Sequence, residues 1–401
     1  MLDESEEERS RDDHLRGFAA WLGQAGYAAF TIRSKVRFAS QFLRSLEAAG
    51  VRVQDLDEDR IDTAVAQKRR SAIDRHKALL QFIDHLRERG IAPRQFERLD
   101  ESPVARLERR YLRHLREERG LADVTSFNYL SFVRPFLIER FGHGETQLEN
   151  LTHRDVADFL LRHVRTMAPK RAQVMGTALR SFLRFSFLEA ETAVDLSLAV
   201  PTVRQFRKAT VPRFVSVEDV ERILSGCDLA TPVGRRDHAV LLLLARLGLR
   251  ASEVVKLELG DVLWRVGELV VRGKAKVHDR LPLPKDVGDA LTLYLTRDRA
   301  VCSSRRVFLR MRAPQRGFAS AAAVTTIVAR AVDRGGLQPP HRGAHLLRHS
   351  LATGMIQRGA TMAEIGQLLR HRSPNSTELY AKVDFERLRG VSLPWPVGGA
   401  R

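Results

Sequence analysis

Residues 261–284, DVLWRVGELVVRGKAKVHDRLPLP, decide the fold class of the second half of this chain. Apolar and polar residues alternate along the stretch, the pattern breaks at Gly267 and Gly273, and it stops at Pro282. Alternation with a period of two is typical of half-buried strands, and glycines interrupt strands at turns. The stretch therefore predicts a small antiparallel sheet of about three strands.

The sequence around this stretch is patterned for helices. In the first half, apolar residues recur at intervals of three and four, as at Phe18, Trp21 and Leu22. The segment Ser216-Val-Glu-Asp has the composition of a capped helix start, and helical patterns resume from Asp286. We therefore expect a mainly α fold, with helical bundles in the first half and an α+β second half.

The chain of 401 residues is too long for one core and predicts two or three domains. The segment RERGIAPRQ near residue 90 closes a first helical block, and the basic, proline-containing stretch at 200–214 predicts a linker. We predict domains at 1–100, 101–209 and 210–401.

The first two predicted domains resemble each other. The residues that recur at an offset of 94 are Gly26, Thr31, Phe38 and Phe42, repeated as Gly120, Thr125, Phe132 and Phe136. We interpret these blocks as two related four-helix modules. The alternative is that two sets of amphipathic helices share these spacings by chance.

The charge predicts an anionic partner. The formal net charge is +18, which places nucleic acid ahead of an anionic membrane as the first partner to consider. Arginine-rich helical segments such as KRRSAIDRHK and APKRAQVMGTALRSFLRF indicate contacts with the DNA backbone, although such runs also occur as solvated helix faces.

Other sequence features exclude several protein classes. Cys227 and Cys302 are isolated, so we expect neither a disulfide framework nor a structural zinc site. The acidic N-terminus is unlike a signal peptide, and the longest apolar run, at 240–249, is too short to span a membrane. We expect a soluble cytoplasmic protein with no membrane partner.

The helix-patterned segment HLLRHS, residues 345–350, concentrates reactive side chains. His345, Arg348 and His349 fall on one helical face, where an arginine fork can bind two phosphate oxygens and a histidine can carry a proton. The two histidines also have the spacing of a zinc-binding helix, but Leu346 stands where such a helix has a glutamate, so we expect no metal. A packed, supporting role for His349 remains an alternative.

Four segments occur in order: LLARLGLRASEVVKL (243–257), RGKAK (272–276), HLLRHSLATGM (345–355) and LLRHRSPNSTELYAKV (368–383). This set resembles the tyrosine recombinases, the phage-integrase family. The resemblance covers about residues 210–397, and residues 103–200 resemble the helical core-binding (SAM-like) domain of that family. The resemblance implies that 210–401 is the catalytic domain.

The resemblance also implies a phosphate clamp. Arg250 and Arg348 match the two arginines that hold the scissile phosphate, whose oxygens gather negative charge during attack. Glu253 matches the acidic residue that orients the clamp. His345 matches a proton acceptor or phosphate ligand, and His349 lies behind it as a supporting residue.

Three further catalytic positions match. Lys274 matches the lysine that gives a proton to the departing 5′ oxygen, with Lys276 as an alternative donor. His371 follows Arg370, which stands where the family usually has glycine, and this leaves the local turn open. Tyr380 matches the nucleophile, a phenol that needs a cationic pocket and a base.

The implied function is site-specific DNA recombination for integration, excision or transposition of a mobile element. One phosphoester replaces another through a 3′-phosphotyrosyl intermediate, so no cofactor, ATP or metal is expected. The implied partners are double-stranded DNA, a homotetramer on two DNA sites and accessory recombination proteins. Residues 1–100 would grip a second DNA segment, lengthen the DNA clamp or contact protein. The alternatives are a type IB topoisomerase and a non-catalytic DNA-binding protein.

Overall fold

The computed structural model describes residues 4–56, 73–93, 100–142, 144–201, 213–273 and 278–371, and residues 373, 377 and 380. Contacts between Cα atoms divide the chain into two compact units. One is Phe96–Ala209, and the other combines Met1–Gln95 with Thr210–Arg401. The predicted fold class, mainly α with one small antiparallel sheet, is confirmed. The three domain boundaries stay a prediction.

The N-terminal module has an aromatic core. Its elements are α1 (Glu4–Gln24), α2 (Ala29–Glu47), a 3₁₀ turn (Val53–Asp55) and α3 (Ile73–Glu88). Phe18 of α1 and Phe82 of α3 meet edge to face, with ring centroids 5.0 Å apart. Phe42 of α2 is buried beside them in the same cluster.

The Phe96–Ala209 unit also has an aromatic core. Its elements are α4 (Pro103–Arg113), a π-helical turn (His114–Glu118), α5 (Asp123–Phe141), a 3₁₀ turn (Leu148–Asn150), α6 (His153–Val164), α7 (Pro169–Leu188) and a second 3₁₀ turn (Leu196–Ala199). Tyr111 of α4 and Phe182 of α7 meet edge to face at 5.3 Å.

The likeness between the modules extends to their turns. Gly26 and Gly120 precede α2 and α5 with φ of 82° and 59°, a conformation that glycine adopts without steric cost. Both helices have 19 residues and are followed by a 3₁₀ turn. These features support the interpretation of a duplicated module, although residues 57–72 lie outside the described part of the chain.

The remaining elements build the predicted catalytic domain. They are α8 (Val217–Ser225), α9 (Pro232–Leu247), α10 (Ala251–Lys256), a 3₁₀ turn (Leu259–Asp261), β1 (Val262–Leu263), β2 (Glu268–Arg272), β3 (His278–Pro282), α11 (Lys285–Arg297), α12 (Ala321–Arg334), α13 (His345–Gln357) and α14 (Met362–Leu368). Ser216 caps α8 as predicted, accepting a hydrogen bond from the Asp219 amide. Helix α9 is buried along most of its length and packs against α11, α12 and α13.

The three strands form the predicted meander. The order is β1-β2-β3, each pair is antiparallel, and Leu269 of β2 faces Leu281 of β3. Gly267, at φ 65°, turns the chain between β1 and β2. Lys274 and Lys276 lie in the segment between β2 and β3 that is outside the described residues. Of the helices described, none is long and apolar enough to cross a membrane.

Candidate active site

The end of α9 positions Arg250. Gly248 closes the helix in the left-handed conformation, at φ 58°. A Cβ atom at this position would lie 2.6 Å from Leu369 Cδ2 and 3.1 Å from Leu351 Cδ2, so the close packing also requires glycine. Arg250 then begins α10 as its N-cap residue, two residues after Gly248, whose carbonyl group accepts a hydrogen bond from Arg348 of α13.

Arg348 of α13 is buried and connects two other segments. Its guanidinium group donates hydrogen bonds to the carbonyl oxygens of Gly248 and Leu369, and only 3% of the residue is exposed. Burial and then the positive charges of Arg250 and Arg370 lower the pKa of Arg348 to about 10. The side chain therefore stays charged at neutral pH.

Glu253 holds two arginines. Its carboxylate accepts hydrogen bonds from the Arg250 backbone amide at 2.8 Å, from Arg250 Nη1 at 2.7 Å and from Arg370 Nη2 at 2.8 Å. Burial alone would raise the pKa of Glu253, but the Arg250 amide and the two guanidinium groups outweigh burial and lower it. Glu253 is thus an ionised carboxylate that fixes the direction of Arg250.

Arg370 is a further residue of the site, although the sequence assigns no role to its side chain. Its backbone has φ 54°, the left-handed conformation that glycine adopts without steric cost and other residues adopt rarely. Its guanidinium group is 6% exposed, pairs with Glu253, and donates to the Leu368 carbonyl oxygen at 3.1 Å. The Nε atom is buried without a hydrogen bond, 4.0 Å from the Asp279 carboxylate on β3. The turn therefore has the left-handed backbone conformation that glycine favours, and an arginine occupies it.

Tyr380 is buried against α13. The residue is 1% exposed, and its hydroxyl lies 2.7 Å from Nδ1 of His349. Burial raises the pKa of Tyr380 to about 12, and the nearby charge of Arg348 opposes the rise. From the sequence, His345 is expected to be a proton acceptor or a phosphate ligand, whereas the hydrogen-bond partner of the phenol in the structure is His349.

The other two histidines flank this pair. The ring centroid of His345 is 6.0 Å from that of His349, and the His371 ring lies parallel to the Tyr380 ring at 6.4 Å. His371 Nδ1 is 2.8 Å from Thr377 Oγ1.

All three imidazoles are neutral at pH 7. Burial and then the charges of Arg348 and Arg250 lower the pKa of His371 to about 4. Burial, His345 and Arg348 lower the pKa of His349 to about 4. Desolvation, Arg348 and Arg250 also lower the pKa of His345.

The structure thus brings most of the predicted site residues into one cluster, the members being Arg250, Glu253, His345, Arg348, His349, His371 and Tyr380. Lys274 falls outside the described residues. Fixed positive charge and neutral imidazoles surround a buried phenol, which suits the binding of an anionic oxygen and the transfer of a proton. No group of three or more potential metal ligands occurs in the part of the chain that the structure describes.

Known proteins share this sequence and fold. The phage integrase family model matches residues 213–387. A Sinorhizobium fredii protein named as an integrase/recombinase, y4rA, is 41% identical over 384 residues, which cover 94% of this chain and 93% of the relative. Tyrosine recombinase XerC of Oceanobacillus iheyensis is 29% identical over 286 residues, covering 70% of this chain and 92% of the relative.

A solved lambda integrase tetramer bound to a Holliday junction has a similar fold. The TM-score is 0.53 at 17% identity, and the match covers 76% of this chain and 86% of the integrase chain. Sequence identity along nearly the whole length, together with a cluster that contains the family's residue types, leads to one conclusion: the chain belongs to the phage integrase family, the tyrosine recombinases, which cut and rejoin DNA through a phosphotyrosyl intermediate.

Proposed function

We propose that this chain is a site-specific DNA recombinase whose nucleophile is Tyr380. The observation that carries the proposal is the buried phenol, which lies in one cluster with two arginine side chains and a proton-accepting imidazole. Attack on a DNA phosphodiester forms a 3′-phosphotyrosyl link and releases a 5′ hydroxyl. A 5′ hydroxyl from a partner strand reverses the step and completes the exchange.

Arg250 and Arg348 clamp the scissile phosphate in this proposal. Each terminal nitrogen of a guanidinium group carries two hydrogens. The carbonyl oxygens that accept from Arg348 therefore leave donors for a phosphate oxygen while they hold the group rigid. Preorganised cations stabilise the charge that develops on the non-bridging oxygens without a reorganisation cost during the reaction.

The remaining roles follow the family pattern. His345 and His371 assist as phosphate ligands beside the arginines, and Lys274 donates the proton to the leaving 5′ oxygen, with Lys276 as the alternative. Replacement of one phosphoester by another needs neither ATP nor a metal, so the reaction proceeds on the residues of the chain itself.

Exchange between two duplexes cuts four strands, and each protomer supplies one tyrosine, so we propose that four protomers act on two DNA sites. The lambda integrase tetramer on a Holliday junction supports this stoichiometry. The integrase/recombinase name of the Sinorhizobium relative supports a role in integration, excision or transposition of a mobile element. A location in the cytoplasm and accessory proteins as further partners belong to the same proposal.

The division into an N-terminal module, a core-binding domain and a catalytic domain, at 1–100, 101–209 and 210–401, belongs to the same proposal. Lys and Arg outnumber Asp and Glu by 31 to 18 in residues 210–401 and by 18 to 13 in 101–209, whereas residues 1–100 hold 18 of each. The net positive charge that attracts the DNA backbone therefore lies in the last two domains, although the basic segment KRRSAIDRHK lies in the first. This balance favours a protein contact over a DNA clamp for the first module.

Trapping of the covalent intermediate tests the proposal. A suicide DNA substrate, nicked so that the free 5′ end is lost after cleavage, should leave a protein–DNA adduct with the native chain and none with Tyr380→Phe. An adduct that persists in the phenylalanine variant would refute Tyr380 as the nucleophile. Relaxation of supercoiled DNA by a monomer without a paired site would instead identify a type IB topoisomerase.

A further inference from the structure

We infer that His349, rather than His345, takes the proton from the Tyr380 hydroxyl as that oxygen attacks phosphorus. The inference rests on the proposed function, because it assigns a partner to the proposed nucleophile. His349 contacts the reacting atom itself and is in this sense a catalytic residue.

The contact has the geometry of a proton transfer path. The distance of 2.7 Å between His349 Nδ1 and the Tyr380 oxygen is that of a short hydrogen bond, within reach for a general base. His349 lies inside α13 and so has a fixed backbone, and the phenol is buried. The contact is therefore built into the fold of the domain.

The neighbouring histidines are placed less well for this step. His371 uses its Nδ1 in the contact with Thr377 and presents its ring face to the phenol ring, and a ring face cannot accept a proton. His345 lies one helical turn before His349, and its ring centroid is 6.0 Å from that of His349. The charges of Arg348 and Arg250, the arginines that hold the phosphate in the proposal, both act on His345.

A base is needed because the phenol is a weak acid. With a pKa of about 12, only about one molecule in 10⁵ carries the phenolate at pH 7. The base must be neutral before the reaction, and His349 is neutral because burial and the positive field around it disfavour the imidazolium form.

Substrate binding strengthens this base. The charged and titratable groups around His349 are Arg348 and His345 on its own helix, Arg250 at the start of α10, and His371 and Tyr380 on the C-terminal segment. A phosphate held by Arg250 and Arg348 adds negative charge close to them and offsets the field that disfavours imidazolium. The proton affinity of His349 thus rises when DNA arrives.

The step balances in atoms and charge. The phenolic proton moves to Nδ1 of His349, the bond from the tyrosine oxygen to phosphorus forms, and the bond from phosphorus to the 5′ oxygen breaks. The leaving oxygen takes its proton from a separate acid, for which Lys274 is proposed. In the reverse step the imidazolium returns its proton to the tyrosine.

His349→Asn tests the assignment. An asparagine amide can reach the position of Nδ1 and accept the phenolic hydrogen bond, but it cannot hold the transferred proton. We expect adduct formation in a single turnover to be about 10²- to 10⁴-fold slower with unchanged DNA affinity. The decline of the wild-type rate at acidic pH, where His349 is protonated, should disappear. His345→Asn is the matched control on the same helix, and it should keep that decline.

A DNA substrate with sulfur in place of the bridging 5′ oxygen separates the two proton transfers. The thiolate leaves without a proton, so this substrate restores cleavage to a variant that lacks the acid. It should leave His349→Asn slow, because the deficit lies on the nucleophile side.

The inference is overturned if His349→Asn cleaves within a few-fold of wild type with the same pH profile, or if the sulfur substrate restores its rate. His349→Gln provides a second variant if the asparagine protein does not fold. An adduct with Tyr380→Phe contradicts the proposed function itself. Loss of the adduct in Tyr380→Phe with no effect in His349→Asn contradicts only the assignment of the base.

Discussion

Replacement of Arg370 by glycine tests how the clamp is held. The substitution supplies the residue that the left-handed backbone at φ 54° prefers, and it removes the buried ion pair with Glu253. The two effects oppose each other. The net change in the free energy of unfolding shows whether the ion pair of Arg370 with Glu253, and through it the position of Arg250, contributes more than the backbone conformation costs.

The contacts of Arg370 set the size of the two opposing changes in the free energy of unfolding. Relief of the left-handed conformation recovers about 1–2 kcal/mol. Loss of one partner of a buried ion pair costs about 3–5 kcal/mol, and the lower end applies because Glu253 keeps the Arg250 guanidinium and amide. The free energy of unfolding of Arg370→Gly should therefore fall by about 1–2 kcal/mol, which lowers the Tm by about 5 °C. Arg370→Ala keeps the backbone cost and should lose about 3 kcal/mol.

Thermal unfolding and single-turnover adduct formation measure both consequences. We expect wild type to be the most stable, followed by the glycine variant and then the alanine variant. Both variants should cleave more slowly at saturating DNA, because Arg250 loses its fixed direction. Arg370→Lys, which restores a charge next to Glu253, should recover part of the cleavage rate. If Arg370→Gly matches or exceeds wild type in both stability and cleavage, the ion pair contributes nothing and our account of this turn is wrong.

Three further outcomes are expected. Gly248→Ala, whose Cβ would lie 2.6 Å from Leu369 Cδ2, should slow adduct formation and lower the Tm. The decrease in Tm should exceed that of Gly267→Ala, because Gly267 has a similar φ but open space around it. Equal decreases in Tm by differential scanning calorimetry would contradict the packing argument. His349 and His371 have pKa values of about 4 in the folded protein, so below pH 6.5 the unfolded chain binds protons that the folded chain does not, and stability that is fully present above pH 6.5 is lost as pH falls towards 4. After allowance for solvent screening, the free energy of unfolding measured in urea at pH 5 should be lower by about 1 kcal/mol per histidine. If replacement of both histidines leaves the pH dependence of the free energy of unfolding unchanged, the assignment is wrong. Adduct formation should be unchanged by EDTA and by omission of ATP, and a strict metal requirement would contradict the proposed transesterification.

The sequence predicted those parts of the fold that depend on local pattern. Period-two alternation identified the meander and Ser216 identified the start of α8, because both signals are set by residues close together in the chain. The motif segments also identified the residues that gather around the proposed phosphate site. Nothing in their spacing predicted which histidine touches Tyr380, since that depends on how α13 meets a segment 31 residues away.

The role of Arg370 was hidden for a similar reason. A sequence shows that an arginine replaces a glycine, but not that its backbone stays left-handed or that its guanidinium turns inward to Glu253. The ion pair joins Arg370 to Glu253 on α10, more than a hundred residues earlier in the chain. A buried charge is predictable only when its partner is known.

The two carbonyl oxygens that accept from Arg348 have a practical consequence for preparing inactive protein. Replacement of this arginine by a side chain without donors removes a proposed ligand of DNA and, at the same time, leaves the carbonyl groups of Gly248 and Leu369 without their donor in the interior. Poor yield and poor binding would then be indistinguishable in such a preparation. An inert protein for crystallisation with intact DNA is better made by removing only the phenolic oxygen of Tyr380, which leaves the hydrogen bonds from Arg348 to the two carbonyl groups in place.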